Sequence, residues 1–318
     1  MTSLNHPVVS VCCPMRDESE MLAPFFERLL PILEGLGLSY EIVCVNDGSR
    51  DDTWNRLLEY QSSLPSLRIV DLSRGFGKEA ALTCAIDQAR GDAVIPIDAD
   101  LQDPPELIVE MVRLWQQGFE VVLPQRTDRQ SDSWLKRQTA HWFYRMHNAI
   151  SDSEIPSNVG DFRLMDRRVV AALQRLPERR RFMKGLFAWV GFRQAILPYA
   201  RAPRVAGTTK FSGWRLWNLA LEGLTSFSTA PLRIWTYIGF FIAFSSFGFG
   251  LFIIGRVLLF GRDLPGYASL ATMISFLGGV QLMGLGVMGE YLGRLYQESK
   301  GRPIYIIRES KGDESGNL

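Results

Sequence analysis

Two long apolar runs constrain this chain more than any other feature. From residue 234 to residue 260 the side chains are almost wholly apolar, with Arg256 near the far end. From 267 to 291 they are apolar again, and only Gln281 and Glu290 interrupt them among larger polar side chains. Each run reaches the roughly 20 residues that the hydrocarbon core of a bilayer requires. The expectation is a transmembrane helical hairpin closed by the short R-D-L-P-G loop at 262–266. Lys210, Arg215 and Arg233 precede the first run, and Arg294, Lys300 and Arg302 follow the second. The loop side carries only Arg262 and Arg256, whose stem can snorkel to headgroups. That bias places both outer ends inside, an N-in, C-in integral membrane protein of the cell (inner) membrane. Ala271, Ser275 and Gly279, then Gly289 and Gly293, are small enough for close helix approach. Packing within the hairpin and contact between copies both remain open, and a homo-oligomer is carried forward.

Trp214, Trp217, Leu221, Leu224 and Phe227 recur at helical spacing, which predicts an amphipathic helix in the membrane interface. Residues 133–150, with Trp134, Trp142 and Phe143 beside Lys136, Arg137 and Arg145, form a second interfacial candidate. The expected domains are a cytosolic catalytic region over 1–210, the interfacial helix over 211–232, two spans over 233–293 and a cytosolic tail over 294–318. Arg175, Arg179, Arg180, Arg181 and Lys184 make a basic cluster that suits anionic lipid, a neighbouring subunit or plain solvent.

The first two thirds read differently. The net charge of the 318 residues is +1, so no nucleic-acid partner is implied. Residues 1–10 lack a basic start and a long apolar core, so no secretory signal is expected there. Cys12, Cys13, Cys44 and Cys84 lie in or beside apolar segments without metal-site spacing, which predicts buried, reduced thiols. Short apolar strands are expected at 8–13, 40–45, 67–72, 93–97 and 120–123. Helices are expected at 19–36, 53–62, 77–89 and 106–117. This alternation predicts an α/β fold, a parallel-type sheet with helices on both faces. Ligands of such sheets bind at the carboxyl ends of the strands, where every polar cluster falls: Asp17/Glu18, 46–49 and Asp98/Asp100.

The run I-P-I-D-A-D-L-Q-D-P-P-E at 95–106 carries the strongest chemical signal. A buried strand that ends in Asp98, Asp100 and Asp103 gathers carboxylates that repel and raise one another's pKa values. A hard divalent cation completed by phosphates resolves the conflict. Asp103 also suits the N-cap of the helix that follows Pro104-Pro105. By contrast, G-F-G-K-E-A at 75–80 fits a dinucleotide fingerprint but follows the third strand and lacks its ribose-binding acid. It is read as a decoy, although a helix N-terminus with Lys78 suits a diphosphate.

The order P-M-R-D-E, V-N-D-G-S-R-D-D-T, L-S-R-G-F-G-K-E-A-A-L, D-A-D-L-Q-D-P-P-E and G-D-F-R-L resembles family 2 glycosyltransferases of the A-type fold. Within them the chain is similar to polyisoprenyl-phosphate glycosyltransferases, the group of dolichyl-phosphate mannose synthase. R-V-A-G-T-T-K-F-S and the trailing spans resemble the bacterial branch that glucosylates undecaprenyl phosphate. The resemblance spans about residues 7–308 and departs at Asp17, where the group usually has Asn.

It implies that Pro14, Asp17, Glu18 and Asp47 lie by uracil and ribose, that Asp98 sits near the nucleotide, and that Asp100 holds Mg²⁺ or Mn²⁺. Gln102 and Asp103 border the sugar, and Asp161 takes the position often treated as catalytic. Asp161 is read first as orienting the acceptor or nearby basic groups, second as a base, with a structural Asp161–Arg163 pair as the plain alternative. Arg163, Arg204 and Lys210 meet the acceptor phosphate. The implied reaction is inverting transfer of a hexose, foremost glucose from UDP-glucose, to polyprenyl phosphate, giving a β-linked lipid product. GDP-mannose or another nucleotide sugar as donor, a processive polysaccharide synthase and a non-catalytic membrane adaptor are the alternatives. Two spans and the lack of a Q-x-x-R-W motif speak against the synthase.

Overall fold

The structure, a computed structural model, describes residues 7–127, 159–179, 181, 183–199, 230–260 and 266–312. Five strands and four helices alternate along the first part of the chain. They are β1 (Val9–Met15), α1 (Leu22–Gly35), β2 (Tyr40–Asn46), α2 (Thr53–Ser63), β3 (Leu67–Leu72), α3 (Lys78–Gln88), β4 (Ala93–Pro96), α4 (Leu107–Gln116) and β5 (Val121–Arg126). Then follow β6 (Leu164–Asp166), α5 (Arg167–Gln174), α6 (Met183–Trp189), β7 (Gln194–Tyr199), α7 (Ala230–Phe260), α8 (Tyr267–Ser299) and β8 (Ile307–Lys311). The chain divides into two compact units, one built on the sheet and one containing α7 and α8.

The eight strands form one sheet in the order β7-β5-β6-β4-β1-β2-β3-β8. Its centre, β4-β1-β2-β3, is parallel, as the βα alternation requires. The sheet as a whole is mixed, because β6 runs antiparallel to β4 and β5, and β8 antiparallel to β3. Period-2 geometry divides β1 between two layers. Val9, Val11, Cys13 and Met15 join a core with Phe25, Leu57 and Ile108 from α1, α2 and α4. Cys12, between them, donates its thiol to the Ala85 carbonyl of α3 at 3.3 Å, on the other face. Each such buried apolar side chain stabilises the fold by about 1.5–3 kcal/mol relative to exposure. All four cysteines are free and buried, and burial pushes the Cys84 thiol up to about 12, so these are inert thiols.

The strand order reverses at β1, with β2 on one side and β4 on the other. That switch point is where an open α/β sheet leaves a crevice beyond its carboxyl ends.

The second unit is helical. Over Trp235–Ile253, α7 is long and apolar enough to cross a membrane. Phe240, Phe241 and Phe244 on it are each more than 70% exposed, which a water-facing helix of this composition does not sustain. α8 is one continuous helix, with Glu290 paired to Arg294 at 2.9 Å. A Cβ at Gly284 would collide with the Trp235 indole of α7, so a glycine seats that ring. Gly279, Gly289 and Gly293, three of the small residues named from the sequence, meet nothing within 4 Å in this helix pair. The candidate interfacial helices at 133–150 and 211–232 and the loop residue Arg262 lie outside the described residues, apart from the start of α7.

Candidate active site

A cleft of about 280 Å³ opens at the switch point. Pro14 at the end of β1, Glu18 beyond it, Asp47 after β2, Lys78 opening α3, and Asp98 and Asp100 after β4 all line it. Six of the residues singled out in the sequence therefore share one cavity.

One end of the cleft is tightly hydrogen-bonded. Asp47 is 2% exposed, and its carboxylate accepts the backbone N–H of Phe76 at 2.6 Å and of Gly77 at 3.0 Å. The Arg16 guanidinium stands 3.4 Å from its other side. Asp47 thus engages the amides of the two residues just before α3. Asp17 has φ +54°, a left-handed conformation that Asp and Asn tolerate better than other side-chain residues. Its carboxylate accepts the Arg50 N–H at 2.7 Å, and its own N–H donates to Ser49 Oγ at 2.9 Å. An acceptor is what this position uses, which accommodates Asp where the resembling group usually has Asn. Asp51 accepts the N–H groups of Ser19 and Thr53; burial opposes its charge, but these and the Thr53 hydroxyl win and hold it at about 2. Gly48, at φ +60°, is required here, since a Cβ would lie 2.5 Å from Gly75 N.

The other end is electrostatically crowded. Lys78 Nζ lies 2.7 Å from Asp98 Oδ2 and 3.1 Å from Asp161 Oδ2. Burial raises the Asp98 carboxyl above its usual range; Lys78 opposes this, while Asp161 and Asp100 add to it. Burial would likewise raise Asp161, but the Lys78 and Lys184 ammoniums outweigh it and hold that carboxyl low. Burial disfavours the Lys78 charge, yet Asp98 and Asp161 prevail and push its pKa up. Lys78 remains half-exposed, so solvent screens these pairs. Asp161 Oδ1 is buried and finds no hydrogen-bond partner among the described residues. Beside this cluster, Glu79 accepts the Met183 N–H at 3.0 Å. Burial, then Asp161, raises Glu79 to about 7.

Asp100 Oδ1 accepts the Gln102 N–H at 3.2 Å, and Leu101 between them has φ +54°. A leucine held in that region stores strain, of the kind that clusters at functional sites. Gln102 and Asp103 are buried. Asp103 does not cap α4 as expected; the helix starts at Leu107 without a side-chain cap. Instead Arg126 reaches Asp103 at 3.2 Å, and the Tyr199 hydroxyl donates to the same oxygen. Two long-range partners outcompete a local cap. Arg163 is 6% exposed, donates to the Gly160 carbonyl at 2.7 Å and stacks 4.0 Å over Phe187. Burial lowers its pKa to about 10. The ion pair of Asp161 is with Lys78, so the Asp161–Arg163 pair is not the one formed. Arg204 and Lys210 lie outside the described residues. The sequence pattern left Arg16, Glu79, Arg126 and Tyr199 unassigned; Arg16 and Glu79 carried a signal, inside P-M-R-D-E and G-F-G-K-E-A, and Arg126 and Tyr199 carried none.

A cleft at the switch point of such a sheet, lined by carboxylates, is where an open α/β fold takes its ligand. Residues 10–173 match the family described as Glycosyl transferase family 2, and the chain belongs to it. An uncharacterized glycosyltransferase of Synechocystis is 52% identical over 306 residues, covering 96% of each chain. A protein named bactoprenol glucosyl transferase, of Shigella phage SfV, is 52% identical over 303 residues, covering 95% of this chain and 99% of its own. Among solved structures, glucosyl-3-phosphoglycerate synthase from Mycobacterium tuberculosis with Mn²⁺, UDP and glucosyl-3-phosphoglycerate aligns over 69% of this chain and 78% of its own, at 18% identity and TM-score 0.47.

Proposed function

We propose that this glycosyltransferase moves a hexose, foremost glucose from UDP-glucose, onto a membrane polyprenyl phosphate such as undecaprenyl phosphate. The observation that carries the reading is the convergence of Asp47, Lys78, Asp98 and Asp100 on one cleft. The name of the phage relative, at near full-length coverage, supports the acceptor and the sugar. The apolar α7, the one helix among the described residues long and apolar enough to cross a membrane, supports a membrane location; α8 as the second span and both chain ends in the cytosol belong to the proposal.

Pro14, Asp17, Glu18 and Asp47 form the nucleoside end. Asp98 and Asp100 form the diphosphate end. Among the described residues no three His, Cys, Asp or Glu gather into a closed metal cage. Two carboxylates with substrate phosphates completing the shell suit Mg²⁺ or Mn²⁺, and the unpartnered Asp161 oxygen fits a site awaiting positive charge. Asp100 is the first ligand, with Asp98 beside it; a cation held there supplies charge stabilisation for the leaving diphosphate.

The acceptor phosphate oxygen attacks the anomeric carbon while the bond from that carbon to the diphosphate oxygen breaks. A phosphate monoester is largely ionised near neutral pH, so little base assistance is needed. Asp161 suits that demand, because a carboxyl held below its ordinary range is a poor proton acceptor. Its role is to orient Lys78 and the incoming phosphate. Gln102 and Asp103 border the sugar, and Arg163, Arg204 and Lys210 serve the acceptor side. One displacement inverts the centre, so an α-linked donor gives a β-linked lipid.

The test is transfer by purified protein in detergent, with undecaprenyl phosphate and a panel of labelled nucleotide sugars, with Mg²⁺ or with chelator. Transfer from UDP-glucose, lost on chelation and β-linked by NMR, is expected. An α-linked product would defeat the single displacement. Nucleotide binding without transfer from any donor would defeat the reading as a whole.

A further inference from the structure

The C-terminal strand β8 reads I-R-E-S-K and is exposed at all five positions, so no core pattern explains its place in the sheet. Its pairing with β3 is irregular. Asp71 faces Glu309 and Leu72 faces Ile307, which leaves Arg308 as the extra residue of a bulge. Bulges re-aim side chains. Here Arg308 donates to Asp71 Oδ2 at 3.0 Å and to the Ser73 carbonyl at 2.6 Å.

Both contacts lead into the tightly bonded end of the cleft. The buried Asp71 accepts the Asn46 amide at 2.7 Å, and Asn46 Oδ1 accepts the Ser49 hydroxyl at 2.5 Å. Ser49 Oγ in turn accepts the Asp17 N–H. The second branch runs through Ser73 along the chain to Phe76 and Gly77, whose N–H groups hold Asp47. The two loops touch backbone to backbone at Gly48 and Gly75.

We propose that Arg308 is a positioning residue of the donor site, presetting the loops that carry Asp17 and Asp47 from a strand at the far end of the chain. This rests on the reading that those two residues hold the nucleoside. The planar guanidinium spans a carboxylate and a carbonyl at once, which an ammonium does not. Without it the buried Asp71 carboxylate retains, among the described residues, only the Asn46 amide as a side-chain donor, and a buried charge so left must turn or recruit water. Asn46, Ser49 and Asp17 follow in sequence. The Arg308 side chain is itself 59% exposed, so its effect falls on loop geometry more than on global stability.

The experiment titrates full-length protein in detergent with UDP by calorimetry, and measures KM for donor and acceptor separately. Arg308→Ala is expected to raise the UDP Kd and donor KM about tenfold, with kcat and acceptor KM within about twofold. Arg308→Lys restores part of that affinity. Lys311→Ala, on the same strand, changes neither. An unchanged UDP Kd in Arg308→Ala, with only a lower Tm, would reduce β8 to a cover for the β3 edge and overturn the proposal. If the alanine variant does not fold, Arg308→Lys decides: UDP affinity equal to wild type overturns, and weaker binding at wild-type Tm sustains. Asp47→Asn separates the two layers of inference. Should it also bind UDP as wild type does, the nucleoside assignment has failed and this proposal falls with it. Should Asp47→Asn bind weakly while Arg308→Ala binds normally, only the Arg308 proposal falls.

Discussion

The two ends of the cleft surround their carboxylates in opposite ways. Around Asp47, Asp17 and Asp51, backbone N–H groups and small hydroxyls, with the Arg16 guanidinium beside Asp47, satisfy the oxygens, and the loops lock together. Around Asp98 and Asp161, one half-exposed lysine stands between two carboxylates, a third lies nearby, and one oxygen has no partner among the described residues. Donors that are mostly backbone amides suit a ligand that must be held in one pose. A half-exposed ammonium among crowded acids suits charge that arrives and departs, as a diphosphate with its cation does. On the proposed function, binding falls to the first end and turnover to the second, and substitutions at each should separate kinetically.

The largest effect is expected from Asp100→Ala, at the crowded end. As the proposed first ligand of the cation, its loss should lower kcat about a thousandfold. UDP binding measured with chelator present should stay near wild type. Equal loss of metal-free UDP affinity would erase the contrast between the ends. Next, Lys78→Ala removes the ammonium that keeps Asp161 ionised, and should lower kcat about a hundredfold with donor KM little changed. A rise in donor KM alone would move Lys78 to the binding end. Asp47→Asn tests that end in turn: about a tenfold rise in donor KM with kcat retained, since a neutral acceptor still meets one of the two N–H groups. A collapse of kcat at saturating donor would show the two ends to be one machine.

The sequence exposed the parallel core because βα alternation and apolar period survive in short windows. Every expected strand and helix from β1 to β5 forms, with boundaries shifted by a few residues. What stayed hidden has physical reasons. β6 is three residues long, too short for a period, and β8 is polar on both faces, held by backbone pairing and one bulged arginine. The Asp103–Arg126–Tyr199 cluster joins residues from three elements, and no local pattern announces it. The D-A-D strand end was legible because like charges at the end of an apolar run demand compensation. That Lys78 supplies it was not, because the lysine comes from α3, twenty positions earlier.

The smallest expected effect tests whether crowding reaches beyond the reacting groups. Glu79, next to Lys78, is pushed to about 7 by burial and by Asp161, against an ordinary value of 4.5. Between those values the folded protein keeps a proton that the unfolded chain has released. Stability contributed by this group is therefore fully present below about 4.5, falls as pH rises, and levels off above about 7. Glu79→Gln carries no such proton. Relative to wild type, the glutamine variant should gain about 1–2 kcal/mol between pH ~5 and ~7.5, after discounting for partial exposure. Parallel Tm-versus-pH curves for the two proteins would mean that Glu79 ionises normally. The crowding would then end at Asp161, and the Met183 N–H that Glu79 accepts would be enough to stabilise its charge.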